Sequence, residues 1–119
     1  MSRDMPRLGE LLRHILEAIA RIQMYTADVD KESFLDSAMV QDAVLRNLEI
    51  VGEACHSVEA RFPEFAGQHP HVPWAAAYQM RNAIAHGYFV VDLDIVWTTI
   101  QADLPELKEK ILRLLEGLR

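Results

Sequence analysis

The stretch Trp74-Ala75-Ala76-Ala77-Tyr78-Gln79-Met80-Arg81-Asn82-Ala83-Ile84-Ala85-His86 carries strongly polar side chains only at Gln79, Arg81, Asn82 and His86. An arginine in an otherwise apolar segment is costly to bury, so it has a partner or a task. If the segment is a helix, Gln79, Asn82 and His86 fall at i, i+3 and i+7 and share one face. Asn82 lies one turn before His86, so its amide can hydrogen-bond the imidazole and fix the tautomer. Arg81 is about 140° around the helix from His86, a gap that its long side chain partly spans. Gly87 lets the chain leave helical geometry directly after His86. Together these residue types suit metal-free cleavage of a phosphodiester beside a hydroxyl. The imidazole takes a proton from the attacking 2′-hydroxyl or gives one to the leaving oxygen. The guanidinium holds the phosphate through two donors and stabilises the charge that builds there. A single histidine does not easily serve as both base and acid. The expectation is therefore a symmetric dimer supplying a second copy, and the apolar character of the segment suits such an interface.

A structural explanation competes with this one. Arg81 could sit in a buried ion pair with Glu53 or Asp42, and His86 could be a satisfied residue at the negative end of a helix. The remaining candidates are weaker. His14, His56, His69 and His71 offer only the His69-Pro70-His71 pair at ligand spacing, without a third or fourth ligand, so no metal site is expected. Cys55 falls on an apolar stripe and reads as a small core residue, not a nucleophile. Trp74 and Trp97 read as core or interface anchors in preference to base-stacking platforms. Glu53 stays a candidate without a settled role. The Glu106–Lys110 and Glu109–Arg113 pairs are solvent-face i,i+4 contacts.

The elements that must position these residues are helical. Leu8, Leu12, Ile15, Ile19 and Ile22 recur at helical spacing and predict a helix over about 7–26. Val44, Leu48, Val51, Cys55 and Val58 stripe a second over about 37–61, reached through a polar link carrying Phe34 and Leu35. Phe62-Pro63 and the run from Gly67 to Pro73 break the pattern, and Pro73 opens the third helix, about 73–86. Because this third helix is so apolar, it is expected to be central and largely buried. Asp92 caps a fourth through about Asp103, and Pro105 kinks it or starts a fifth. No strand pattern competes, so the fold class is all-α, a four- to five-helix up-and-down bundle filling residues 1–119 as one domain.

Composition narrows the setting. The 119 residues carry a net charge of −6 and a pI near 5.3, which disfavours broad electrostatic grip on nucleic acid but leaves room for a local basic pocket. No window approaches a membrane span of roughly eighteen apolar residues, and the short polar start, Met1 to Arg7, does not read as a secretory signal. One cysteine excludes an internal disulfide, and a cytoplasmic location is expected.

The run Arg81-Asn82-Ala83-Ile84-Ala85-His86-Gly87-Tyr88 resembles the R-x4-H-x-Y signature of HEPN-domain toxins of the HepT type. Arg46-Asn47-Leu48-Glu49-Ile50-Val51-Gly52-Glu53-Ala54, Val72-Pro73-Trp74, Val91 to Trp97 and Asp103 to Leu107 resemble other segments of that family, so about residues 5–115 are covered. The resemblance implies a metal-independent endoribonuclease toxin without a cofactor, dimeric or larger. It implies Arg81 and His86 as the catalytic pair, with Asn82 as the supporting polar residue. It further implies a nucleotidyltransferase antitoxin of the MntA type, which in some pairs adds AMP to the motif tyrosine; Tyr88 stands at that position. Such a modification would place negative charge and bulk beside the phosphate-binding arginine. The alternative is a non-catalytic helical dimer module that binds and regulates a nucleotidyltransferase partner.

Overall fold

The computed structural model describes residues 4–87 and 91–118, with side chains from residue 7. Its described residues contain no strand. Four long helices carry the architecture: α1 (Asp4–Thr26), α3 (Ala38–Arg61), α5 (Trp74–His86) and α7 (Leu104–Gly117). Shorter helices occupy the connections: α2 (Lys31–Asp36), α4 (Pro63–Gln68) and α6 (Leu93–Thr98). The all-α class and the long helices match the expectation. Of the short ones, α6 falls within the predicted fourth helix, about 92–103, whereas α2 and α4 do not show in the sequence, because six residues hold too little periodicity.

The long helices lie side by side in the order α7, α1, α3, α5. Successive members run antiparallel. Arg21, late in α1, donates from Nε to Asn47 Oδ1 early in α3 at 2.7 Å, and Glu53 and His56 of α3 meet Arg81 and Tyr78 of α5 respectively. The core is centred on α1, whose Leu8, Leu12, Ile15, Ile19 and Ile22 are all buried. They face Val44, Val51, Cys55 and Val58 of α3 and Ile111 of α7 within one hydrophobic cluster. Asn47 is a buried polar side chain, and both ends are satisfied: Oδ1 by Arg21, Nδ2 by donation to the Ala43 carbonyl at 2.9 Å.

Caps set the boundaries. Asp30 Oδ1 accepts from the Ser33 N–H at 2.8 Å, starting α2 and holding its own carboxyl below the usual value. α2 buries Phe34 against Trp97, ring centroids 5.3 Å apart, so the supposed polar link is a helix pinned to the core. Ser37 Oγ then caps α3 by accepting from Val40 N–H. Asp92 caps α6 as expected, accepting from Asp94 and Ile95 N–H. Between α6 and α7 the backbone widens into a π turn over Thr99–Asp103, with the Leu104 N–H reaching Thr99 O. Pro105 follows at the start of α7. Lacking an N–H and clashing with the carbonyl four residues back, proline favours such a local rearrangement over a continuous α-helix.

The expectation that fails concerns α5. It is an edge helix packed on α3, and only Trp74 within it is buried. Apolar composition misleads here because most of the segment is alanine, whose small side chain gains little by burial, while α1 already occupies the centre. On the far side, α5 and the α6–α7 arm leave an open cleft of about 530 Å³, lined by Val51, Ala77, Met80, Ile95 and Leu107 among others.

Candidate functional site

α5 begins where Pro73 ends the loop, and Trp74 fastens that end by donating from Nε1 to the His69 carbonyl at 3.1 Å. His69 packs against Phe65 and edge-on to His71, and the His71 carbonyl accepts from Lys110 Nζ. These two histidines tie loop to helix, and among the described residues no cluster of three or more potential metal ligands occurs. At the other end Gly87 adopts φ 61°, ψ 22°, the left-handed geometry that closes a helix and that glycine adopts without strain. His86 is thereby the last residue of α5, exposed, at the negative end of the helix.

Arg81 lies on the face of α5 that meets α3. Its Nε is 3.1 Å from Glu53 Oε2, and its Nη1 donates to Asn82 Oδ1 at 2.8 Å. Its guanidinium carbon stands 5.9 Å from the Tyr78 ring centroid. Tyr78 in turn stacks on His56 of α3, centroids 3.9 Å apart and nearly parallel. The guanidinium is therefore held along two edges, through Nε and Nη1, with its side chain 30% exposed. An arginine so held presents fixed donors to an incoming oxyanion without a large ordering cost on binding.

What brings Arg81 so close to α3 is Gly52. A Cβ at that position would come within 2.6 Å of the Ala77 carbonyl oxygen and closer still to Arg81 Cβ. A glycine inside a helix costs roughly 1 kcal/mol relative to alanine. Here it allows the two backbones to approach at the level of Arg81.

The sequence-predicted residues are thus distributed in two ways. Arg81 and Asn82 are in contact, and of the two proposed ion-pair partners it is Glu53, not Asp42, that meets Arg81. Asn82, one turn before His86, accepts from Arg81 through its carbonyl oxygen. The ion pair is half-exposed, not buried as the structural explanation required. His86 lies at the exposed end of the same helix. Tyr88 falls outside the described residues. Sequence reasoning missed Gly52 and the His56–Tyr78 stack; the mid-helix glycine beside Glu53 was the available signal for the first. Cys55 is buried, its thiol pushed up to about 12 by desolvation and then by the charge of Glu59, consistent with a core role.

An all-helical array whose edge helix ends in this Arg-Asn-x3-His run agrees with the HEPN-type resemblance of the sequence. The chain belongs to the ribonuclease HepT-like family, which matches residues 15–114. It is 38% identical over 105 residues to the "Probable ribonuclease HepT" of Thermococcus cleftensis, covering 88% of this chain and 93% of that protein. It is 41% identical over 107 residues to a "Gamma-glutamylcyclotransferase and putative RNase" of Methanocaldococcus jannaschii. That match takes in 90% of this chain, which spans about half, 47%, of the relative's length. No solved structure matches the chain. No helix among the described residues is long and apolar enough to cross a membrane.

Proposed function

We propose that this chain is a metal-independent endoribonuclease of the toxin type, cleaving RNA at a site that two copies of the chain complete. Arg81 holds the scissile phosphate, and His86 moves the proton. The 2′-oxygen attacks phosphorus as its proton leaves, the bond to the 5′-oxygen breaks, and that oxygen is protonated. The products are a 2′,3′-cyclic phosphate and a 5′-hydroxyl. Asn82 acts as support, sharing Oδ1 with the guanidinium and standing one turn before the imidazole. The observation that carries this reading is the fixing of Arg81 by Glu53 and Asn82 on a helix whose last residue is an exposed histidine.

Two copies are needed because base and acid act on opposite sides of phosphorus. The outward face of α5 supports such pairing: Ala75, Gln79 and His86 are exposed at helical spacing, and small side chains permit close approach across a two-fold axis. The cognate regulator is an MntA-type nucleotidyltransferase. It transfers AMP from ATP to the hydroxyl of Tyr88, with pyrophosphate leaving, and the added charge opposes RNA at Arg81.

The test is induced expression of wild type, Arg81→Ala and His86→Ala, with total RNA examined on gels and assembly followed by light scattering. Growth arrest and new RNA fragments from wild type alone, with assembly preserved in both variants, support the proposal. Toxicity retained by both variants, or assembly lost with them, overturns it in favour of a binding module.

A further inference from the structure

Beside Arg81, on the side of α3 that faces α1, lies a depression of about 340 Å³. Its floor is apolar: Leu11 of α1 with Ile50 and Ala54 of α3. Its rim is polar: Arg46, Glu49 and Ser57 of α3, His14 of α1, and the Glu53–Arg81 pair. At the small end of the range for small-molecule sites, roughly 300–1,000 Å³, it has room for one planar ring system and not for a strand.

Charge decides what it suits. Two arginines face two glutamates, so the depression offers no net field for a second phosphate. An uncharged heterocycle with donors and acceptors along its edge fits better. We propose that this depression receives the base of a nucleotide flanking the phosphate held by Arg81, a reading that rests on the RNase function above. Single-stranded RNA presents its bases in this manner, stacked on arginine planes and hydrogen-bonded at their pairing edges. Arg46 is equipped for stacking: its side chain is 72% exposed, and among the described residues its one ion contact is a loose 3.9 Å approach to Glu49. Glu49, more recessed, retains acceptor capacity on both carboxylate oxygens. A carboxylate selects bases that present N–H groups. Guanine alone places two donors side by side, N1–H and the exocyclic amine, to match both oxygens. Uracil presents one donor between two carbonyl oxygens, which the carboxylate repels. The depression thus favours guanine, tolerates adenine and cytosine, and discriminates against uracil.

The test is cleavage of short RNAs identical except at the two nucleotides flanking the cut, with kcat/KM compared among the four bases. Wild type is expected to prefer guanine over uracil at one of these positions by about tenfold or more. Glu49→Gln, which keeps shape and removes charge, should collapse that ratio, and Arg46→Ala should weaken all four substrates. Melting curves verify that both variants fold. Wild type that cleaves without base preference, or Glu49→Gln that preserves it, overturns the inference while leaving the RNase reading intact. If wild type cleaves nothing, the RNase reading fails instead. The subsite is then decided by binding of 2′-O-methyl RNAs that carry guanine or uracil. A guanine preference lost in Glu49→Gln supports it, and equal binding by both proteins rejects it.

Discussion

Replacing Gly52 with alanine sets two opposing effects against each other, and the structure gives their sizes. In an exposed helix the change would stabilise by roughly 1 kcal/mol through propensity. At position 52 the new methyl would lie within 2.6 Å of the Ala77 carbonyl oxygen and nearer to Arg81 Cβ. Ordinary carbon–oxygen contacts fall at about 3.3–3.6 Å, so α5 must retreat from α3 by at least about 0.7 Å. Neither obstacle is the tip of a flexible side chain; one is backbone and the other is the root of Arg81. Overpacking of this kind costs typically about 1–3 kcal/mol, which outweighs the propensity gain. The net loss of up to about 2 kcal/mol corresponds to a Tm lower by several degrees in a chain of this length.

The catalytic consequence should exceed the stability one. A displacement approaching 1 Å at Arg81 breaks the register with Glu53 and misplaces the phosphate, a change that can cost on the order of 100-fold. Cleavage of a defined RNA by Gly52→Ala, measured at 25 °C where the variant remains folded, should fall by roughly 10- to 100-fold. Scanning calorimetry on the same samples reads the stability. A raised Tm together with full cleavage would refute the reasoning, because it would mean that α3 and α5 accommodate the methyl without moving Arg81.

His86→Ala should reduce cleavage by at least about 100-fold with a Tm close to wild type, since the side chain is exposed; equal activity would remove His86 from the mechanism. Glu53→Ala should change stability by less than about 1 kcal/mol, as befits a half-exposed ion pair, yet lower cleavage by about tenfold through a less constrained Arg81. Parallel melting and cleavage assays separate these effects. Gln79→Arg would set like charges across the proposed two-fold axis, and light scattering should show a shift to monomer accompanied by lost cleavage. Cys55 should resist alkylation at pH 8 until the protein unfolds. Because its folded pKa is raised to about 12, the unfolded chain binds fewer protons above its ordinary value of 9.0. Stability should therefore decline as pH rises from 9 toward 12, by at most about 1.4 kcal/mol per pH unit, and denaturant titrations across that range would read the slope.

Much of this was legible in the residues. The stripe of α1 and the apolar face of α3 announced helices because long amphipathic elements repeat their signal over many turns. Asp92 and Gly87 marked boundaries through capping chemistry that acts locally. What stayed hidden was the partner of each face. The α5 run contains alanines that are indifferent to burial, so composition could not place it at the edge. Asn82 could serve either neighbour, and only the approach of α3 decides that its oxygen meets Arg81. Phe34 looked like part of a link because its helix is shorter than two turns, although its side chain is fully buried.

The edge position of α5 changes how the site is understood. A central helix would have shielded Arg81 in apolar surroundings, where an ion pair with Glu53 would have been an end in itself. At the edge, the same pair remains half-exposed and stabilises little. Its geometry is then better explained as orientation: Glu53 takes Nε, Asn82 takes Nη1, and the side chain stays 30% exposed. Gly52 serves the same end: α3 forgoes roughly 1 kcal/mol of helix propensity there, and α5 comes close enough for Glu53 to hold Arg81. Close approach of α5, a held guanidinium and a histidine at the exposed terminus are each weak reasons for a site on their own. Together they give one account of why the chain keeps a glycine in the middle of α3 and a small-residue helix at its rim.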